Sequence, residues 1–295
     1  KLAARIDPRW YAVSSVGQRL SFWPGTDLLN MSADAPAVDG KKMNKVMAEF
    51  VATELLSTGL WDGVFYDNAF DSVTWFAGPD VDFNLDGVSD PNPDAAWKEG
   101  MKYLYDETRR ITGGKYLVVG NGTTRAYRDN LNGQMVENFL PGSWTPTMQT
   151  YQYFHDGGPA PRLNIINANT ANRGSDRDYR AMRFGLTSAL LSDGYFSFDF
   201  GDQNHGQLWY YDEYNIDLGT GNGAAKSFNG GKNYSADVWQ RDFDHGIAVV
   251  NSSNRTQEVT LAGEYEKIRG AQDAAVNNGR IVSTASVPAY DGLIL

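Results

Sequence analysis

Three apolar runs in this chain end in a carboxylate. GVFYDN at 63–68 carries Asp67, QMVENF at 134–139 carries Glu137 and YFSFDF at 195–200 carries Asp199. A strand that closes on an acid holds it at a fixed place, and two acids in different surroundings can divide acid and base work between them. Cleaving an acetal between sugars requires that division: one carboxyl protonates the leaving oxygen and the other, ionised, attacks carbon or activates water. On this reading Asp67 is the nucleophile, Glu137 the acid/base, and Asp199 a substrate ligand. Asn68, Asn121 and Asn169 stand at the same run ends and have donors and acceptors for hydroxyl groups. The competing readings are turn formation for each Asn and loop anchoring for Asp67 and Asp199. Asn138 competes with Glu137 for the inward direction, because side chains alternate along a strand.

Other clusters carry weaker signals. In LWYYDEYNIDL at 208–218, Trp209, Asp212 and Glu213 sit among tyrosines. They read either as a sugar-binding wall or as an aromatic packing segment between domains. Trp23, Trp75 and Trp144 fall in loops on the strand-end side, where they would stack on sugars or pack locally. DFNLDGVSD at 82–90 spaces Asp82, Asn84, Asp86 and Asp90 around Gly87 like the start of a calcium loop. The usual Glu at the twelfth position is replaced by Pro93. A structural Ca2+ is expected, against an ion-free Asx turn. The three histidines, His155, His205 and His245, lack metal-site spacing and read as polar loop or surface residues.

The elements that must position these residues alternate. Strands are expected at 27–32, 63–68, 116–121, 134–139, 162–169 and 195–200. Helices are expected at 42–57, 95–111 and 177–191, the last with Asp176 as N-cap, and a short one is read at 124–131. Strands alternating with helices imply a parallel sheet covered by helices, with functional residues at the C-terminal strand ends. The expected class is therefore α/β, a (β/α)8 TIM-type barrel. Six strands fall short of eight, so the first two are expected upstream of Lys1 and 5–22 is read as helix and turn; two strands missed within 10–22 are the alternative. From about residue 235 short strands separated by turns replace the alternation. The expected domains are a barrel at 1–234 and an antiparallel β-sandwich at 235–295.

Composition narrows the classes. A net charge of −10 and a pI near 4.8 argue against nucleic acid as partner. No apolar run is long enough to cross a membrane. The absence of cysteine excludes disulfides and thiolate chemistry. No glycine-rich phosphate loop is present, and no organic cofactor is expected. The 8 Trp, 16 Tyr and 14 Phe suit a carbohydrate partner, since aromatic faces stack on sugar C–H faces. With the acidic, Gly-rich profile they suggest an extracellular or cell-surface location.

DGVFYDN, DFNLDGVSD, YLVVGN and MVENF, with the tail VWQRDFDHGIAVVN, YEKIRGAQD and YDGLIL, resemble glycosyl-hydrolase-like (β/α)8-barrel families with a C-terminal β-domain. Hypothetical glycosyl hydrolase family 15 is one of them. The resemblance runs from about Trp10 to Leu295 and implies the barrel, with its first two strands outside this chain. An Asp on strand four facing a carboxyl on strand six is similar to the α-galactosidase clan. The expectation is a secreted glycoside hydrolase of polysaccharides. The alternative is a non-catalytic carbohydrate-binding or surface-assembly protein on the same barrel. A carbohydrate esterase or deacetylase is disfavoured, because neither GxSxG nor a His-based metal site occurs.

Overall fold

A computed structural model describes residues 1–295, which divide into two compact units: Lys1–Gly133 with Gly158–Pro161, and Gln134–Gly157 with Arg162–Leu295. In the first unit, α1 (Met43–Phe50) runs on through a π turn and a 3-10 turn to Gly59, whose φ of 71° closes it. β1 (Gly63–Tyr66) follows, then the one-turn α2 (Thr74–Ala77) and the long α3 (Pro93–Thr112). Pro93 and Asp94 open α3, Arg109 and Arg110 lie in its last turn, and Gly113 caps it at φ 64°. These residues match the polarity of the helix dipole and the cap geometry. The buried face of α3 carries Trp97, Met101, Leu104 and Tyr105. β2 (Leu117–Asn121) pairs in parallel with β1, from Gly63↔Leu117 to Tyr66↔Gly120. Gly63 permits this pairing, since a Cβ there would meet the Leu117 carbonyl at 2.5 Å.

Three expectations fail in this unit. Residues 27–32 form no strand, only a single bridge between Leu29 and Tyr11. Residues 5–22 are not helical beyond 3-10 turns at Ala3–Arg5 and Pro8–Trp10. Backbone bonds from Ala12 N to Leu28 O (2.9 Å), Leu28 N to Leu20 O (2.8 Å) and Leu20 N to Ala12 O (2.9 Å) tie three extended stretches into a closed ring. Their hydrogen-bonding capacity is thus used locally rather than in a sheet. Residues 124–131 are a series of turns instead of a helix.

The second unit holds three parallel strands, β3 (Gly133–Val136), β4 (Ile165–Asn169) and β5 (Tyr195–Asp199). Registers run Met135↔Ile165 and then Ile165↔Tyr195 through Asn169↔Asp199. Connections pass through α4 (Trp144–His155) and α5 (Tyr179–Leu190), giving two successive βαβ units. α4 is absent from the sequence reading: Pro146 argues against a helix, yet it lies in the first turn, where no intrahelical N–H is needed. Trp144 is consequently buried, and its Nε1–H donates to Ser188 Oγ at 2.8 Å, so it is core and not a sugar platform. The N-cap position of α5 falls on Asp178, two residues after the expected Asp176, and its side chain makes no capping hydrogen bond.

Antiparallel strands complete this unit. β6 (Gly221–Ser227), unassigned from sequence, joins β7 (Val238–Phe243), β8 (Ile247–Asn251) and β11 (Asp291–Ile294) in the order β11-β8-β7-β6. β9 (Gln257–Glu266) pairs with β10 (Ile281–Val287). Val249, Val259, Leu261, Val287 and Leu293 form their common apolar cluster. The fold is therefore α/β, with parallel strands and helices followed by antiparallel C-terminal sheets.

Candidate active site

In the first unit the polar residues gather where β1 and β2 end. Asp67 is exposed immediately after β1, and its Oδ1 accepts from Asn121 Nδ2 (2.9 Å) and from the Asn68 backbone N–H (2.8 Å). Asn68 adopts φ 54°, the left-handed region that Asn tolerates, and this turns the chain sharply after the acid. The loop then folds back on β2, with Ala69 N donating to Asn121 O at 2.8 Å. Gly122 makes room for that approach, because a Cβ there would lie 2.7 Å from the Ala69 carbonyl oxygen. Asp67 and Asn68 line a cavity of about 420 Å3, together with Phe22, Trp23, Phe65 and Trp97. That is a size and composition suited to a small organic ring. Phe22 packs edge-on against Trp23 and Trp75, both of which expose about half or more of their surface.

In the second unit a three-membered cluster forms at the ends of β3 and β5. Glu137 directly follows β3, and its Oε1 lies 3.2 Å from His205 Nε2. Asp199 closes β5, and its Oδ2 lies 2.9 Å from His205 Nδ1. Asn167 on β4 donates to the same Asp199 oxygen at 3.0 Å and to Ser197 Oγ at 2.9 Å. The hydrogen bond that His205 donates to Asp199 raises the His205 pKa above its ordinary value; partial burial opposes this, and the charges of Asp199, Glu137 and Asp202 add to it. Asn138 has φ 36° and accepts from Asn169 Nδ2 at 2.5 Å, so Asn138 and Asn169 pair with each other while Glu137 reaches the histidine.

Sequence reasoning missed His205 and Asn167. His205 does lie in an exposed loop, as read, but it bridges two of the three acids singled out. The only local hint is its place six residues beyond Asp199.

The residues after β5 are committed elsewhere. Asp212 Oδ2 accepts from the Ala271 and Gln272 backbone N–H groups, both at 2.7 Å. Glu213 is buried and accepts from Asn277 Nδ2 at 3.0 Å. Trp209 packs on Phe198 with the rings tilted at 45° and their centroids 5.8 Å apart. All three side chains are thus engaged by neighbouring groups of the same unit.

In the 82–90 loop each singled-out side chain holds backbone. Asp82 accepts from Asp86 N (3.2 Å) and Gly87 N (2.8 Å), Asn84 from Asp86 N (2.9 Å), Asp86 from Val88 N (2.9 Å) and Asp90 from Phe83 N (2.7 Å). Burial raises the Asp90 pKa, and the nearby charges of Asp34, Asp82 and Asp86 raise it further. Asp34 is a fourth carboxylate that the spacing did not reveal.

Strand-end acids and amides on parallel βα units are what a glycosidase-like domain displays, and one comparison bears on it directly. The family model described as hypothetical glycosyl hydrolase family 15 matches residues 3–247. The chain belongs to that family. In this member of hypothetical glycosyl hydrolase family 15 the match takes in all five parallel strands and reaches the first residue of β8. No curated protein matches the chain. No helix is long and apolar enough to cross a membrane.

Proposed function

We propose that the protein is a glycoside hydrolase acting on a polysaccharide outside the cell or at its surface, with Asp67 as nucleophile and Glu137 as acid/base. The observation that carries the proposal is the placement of Asp67, Asn121, Glu137, Asn169 and Asp199 at or just beyond the C-terminal ends of parallel strands. That is where (β/α)8 barrels, the architecture proposed here for these βα units, keep their catalytic groups. Asn121 orients Asp67, and the neighbouring aromatic residues offer stacking faces for a sugar ring. Asn68 and Asn169 are the proposed hydroxyl ligands; Asp199, Trp209, Asp212 and Glu213 would contribute to substrate binding only by leaving their present contacts.

The test is release of reducing ends from a panel of purified polysaccharides. Asp67→Asn is expected to abolish turnover with the fold intact. Glu137→Gln is expected to spare aryl glycosides whose leaving group needs no protonation, since only the acid's task is lost. Full activity in Asp67→Asn would reject the assignment. Polysaccharide binding without hydrolysis of any glycan would replace it by the non-catalytic binding protein.

A structural Ca2+ at Asp82, Asn84, Asp86 and Asp90 belongs to the same proposal. Its support is the alternate spacing of these side chains around Gly87.

A further inference from the structure

We propose that His205, oriented by Asp199, is the residue that positions Glu137 and supplies the proton it delivers; this rests on the reading of Glu137 as acid/base. The three groups come from separate segments. Glu137 follows β3, Asp199 ends β5, and His205 lies in the loop after β5. Both ring nitrogens face carboxylate oxygens, Nδ1 to Asp199 at 2.9 Å and Nε2 to Glu137 at 3.2 Å. Only the imidazolium can donate at both positions. Asp199 is a rigid anchor: it is buried, Asn167 holds its Oδ2 at 3.0 Å, and its Oδ1 is enclosed without a hydrogen-bond donor. A carboxylate so enclosed is compensated by the cationic ring beside it. The charged groups facing the ring are Asp199 from β5, Glu137 from the segment after β3, and Asp202 from the ring's own loop.

This arrangement resolves a conflict. A neighbouring cation favours the ionised form of a carboxyl, whereas an acid catalyst must start protonated. With the histidine as proton store, Glu137 need be protonated only transiently. The Nε2 proton passes to Glu137 Oε1, leaving neutral imidazole with its Nδ1–H on Asp199. Glu137 gives that proton to the leaving oxygen as the Asp67 carboxylate bonds to the sugar carbon and the C–O bond breaks, its electron pair staying on oxygen. When water then attacks the sugar carbon and displaces the Asp67 carboxylate, the proton it releases returns through Glu137 to Nε2. The net consumption is one water.

The first experiment needs no substrate. Imidazole titration by NMR on the full chain reads three histidines, and His205→Gln assigns the one of interest. His205 is expected to titrate above an ordinary imidazole, and Glu137→Gln and Asp199→Asn are each expected to bring it down. An ordinary titration, or one that Glu137→Gln leaves in place, overturns the proposal. The second experiment uses a polysaccharide that the wild type cleaves. His205→Gln is expected to lower kcat by roughly 10²-fold and move the alkaline limb of the profile to lower pH, while sparing aryl glycosides with good leaving groups. An unmoved alkaline limb overturns the proton-supply role. Coupled titration with no glycan hydrolysed defeats the hydrolase reading and the proton supply with it, leaving a purely structural triad.

Discussion

Arg183→Met isolates one buried charge and predicts a large, pH-dependent loss of stability. Arg183 lies on α5 with 4% of its side chain exposed, and it makes a paired contact with Asp291 at the start of β11: Nε to Oδ1 at 2.9 Å and Nη2 to Oδ2 at 3.0 Å. Nη1 adds Asp273 at 2.5 Å. Burial pulls the Arg183 pKa down, but the two carboxylates outweigh it and raise it overall. Methionine keeps much of the volume and removes the charge, so the Asp291 carboxylate, itself 4% exposed, is left uncompensated. Removing one partner of such a pair costs about 3–5 kcal/mol. An exposed pair such as Arg269–Glu266, with side chains 79% and 54% exposed, contributes ~1 kcal/mol or less. At ~2–4 °C per kcal/mol, the melting temperature should fall by roughly 6–20 °C. The sign with pH follows from the charge left unpaired: a buried carboxylate without its cation is costly only while it is ionised, so the penalty should shrink as pH falls. Urea denaturation at pH 7 and pH 5 measures both effects, and adding Asp291→Asn should recover much of the loss. A loss below ~1 kcal/mol at pH 7, or one unchanged at pH 5, would refute the reasoning.

Two further outcomes are expected. Ca2+ at a hundred times its Kd should stabilise the protein by about 2.7 kcal/mol, and Asp82→Ala should remove the response; a melting temperature indifferent to both EDTA and Ca2+ leaves the 82–90 loop a set of Asx turns. Asp212→Ala should cost about 1–3 kcal/mol, because it strips the acceptor from the Ala271 and Gln272 N–H groups, whereas unchanged stability with weakened glycan binding would return Asp212 to the sugar-binding wall.

The parallel strands were legible because each is a short apolar run of strand-forming residues, bounded by Gly or Pro and closed by a polar residue. GVFYDN and YLVVGN therefore read correctly to within a residue or two. Residues 27–32 have a similar make-up, but their partners are 10–20, and no local pattern reveals that short stretches will satisfy one another instead of joining a sheet. α4 was hidden by a different cause. Pro146 lowers helix propensity wherever it stands, and only the position of the helix start, set by packing around Trp144, makes it harmless.

The site shows most sharply where spacing stops informing. Asp199 and Glu137 were found because each terminates a run, a property of one segment. His205 was not, because its meaning lies in the geometry that brings Asp199 and Glu137 to opposite ends of one ring. The amides make the same point. Asn169 was chosen as a strand-end residue, yet the left-handed turn at Asn138 brings a carboxamide to Asn169 and engages it. Asn167 lies two residues earlier, on the same face of β4 by the alternation of side chains. The β4–β5 register aligns it with Ser197, and from there it reaches Asp199 diagonally. A strand's last polar residue is thus a guide to where polar side chains gather, but a poor one to which of them engage one another. The choice between neighbours on one face is made by the register of the next strand.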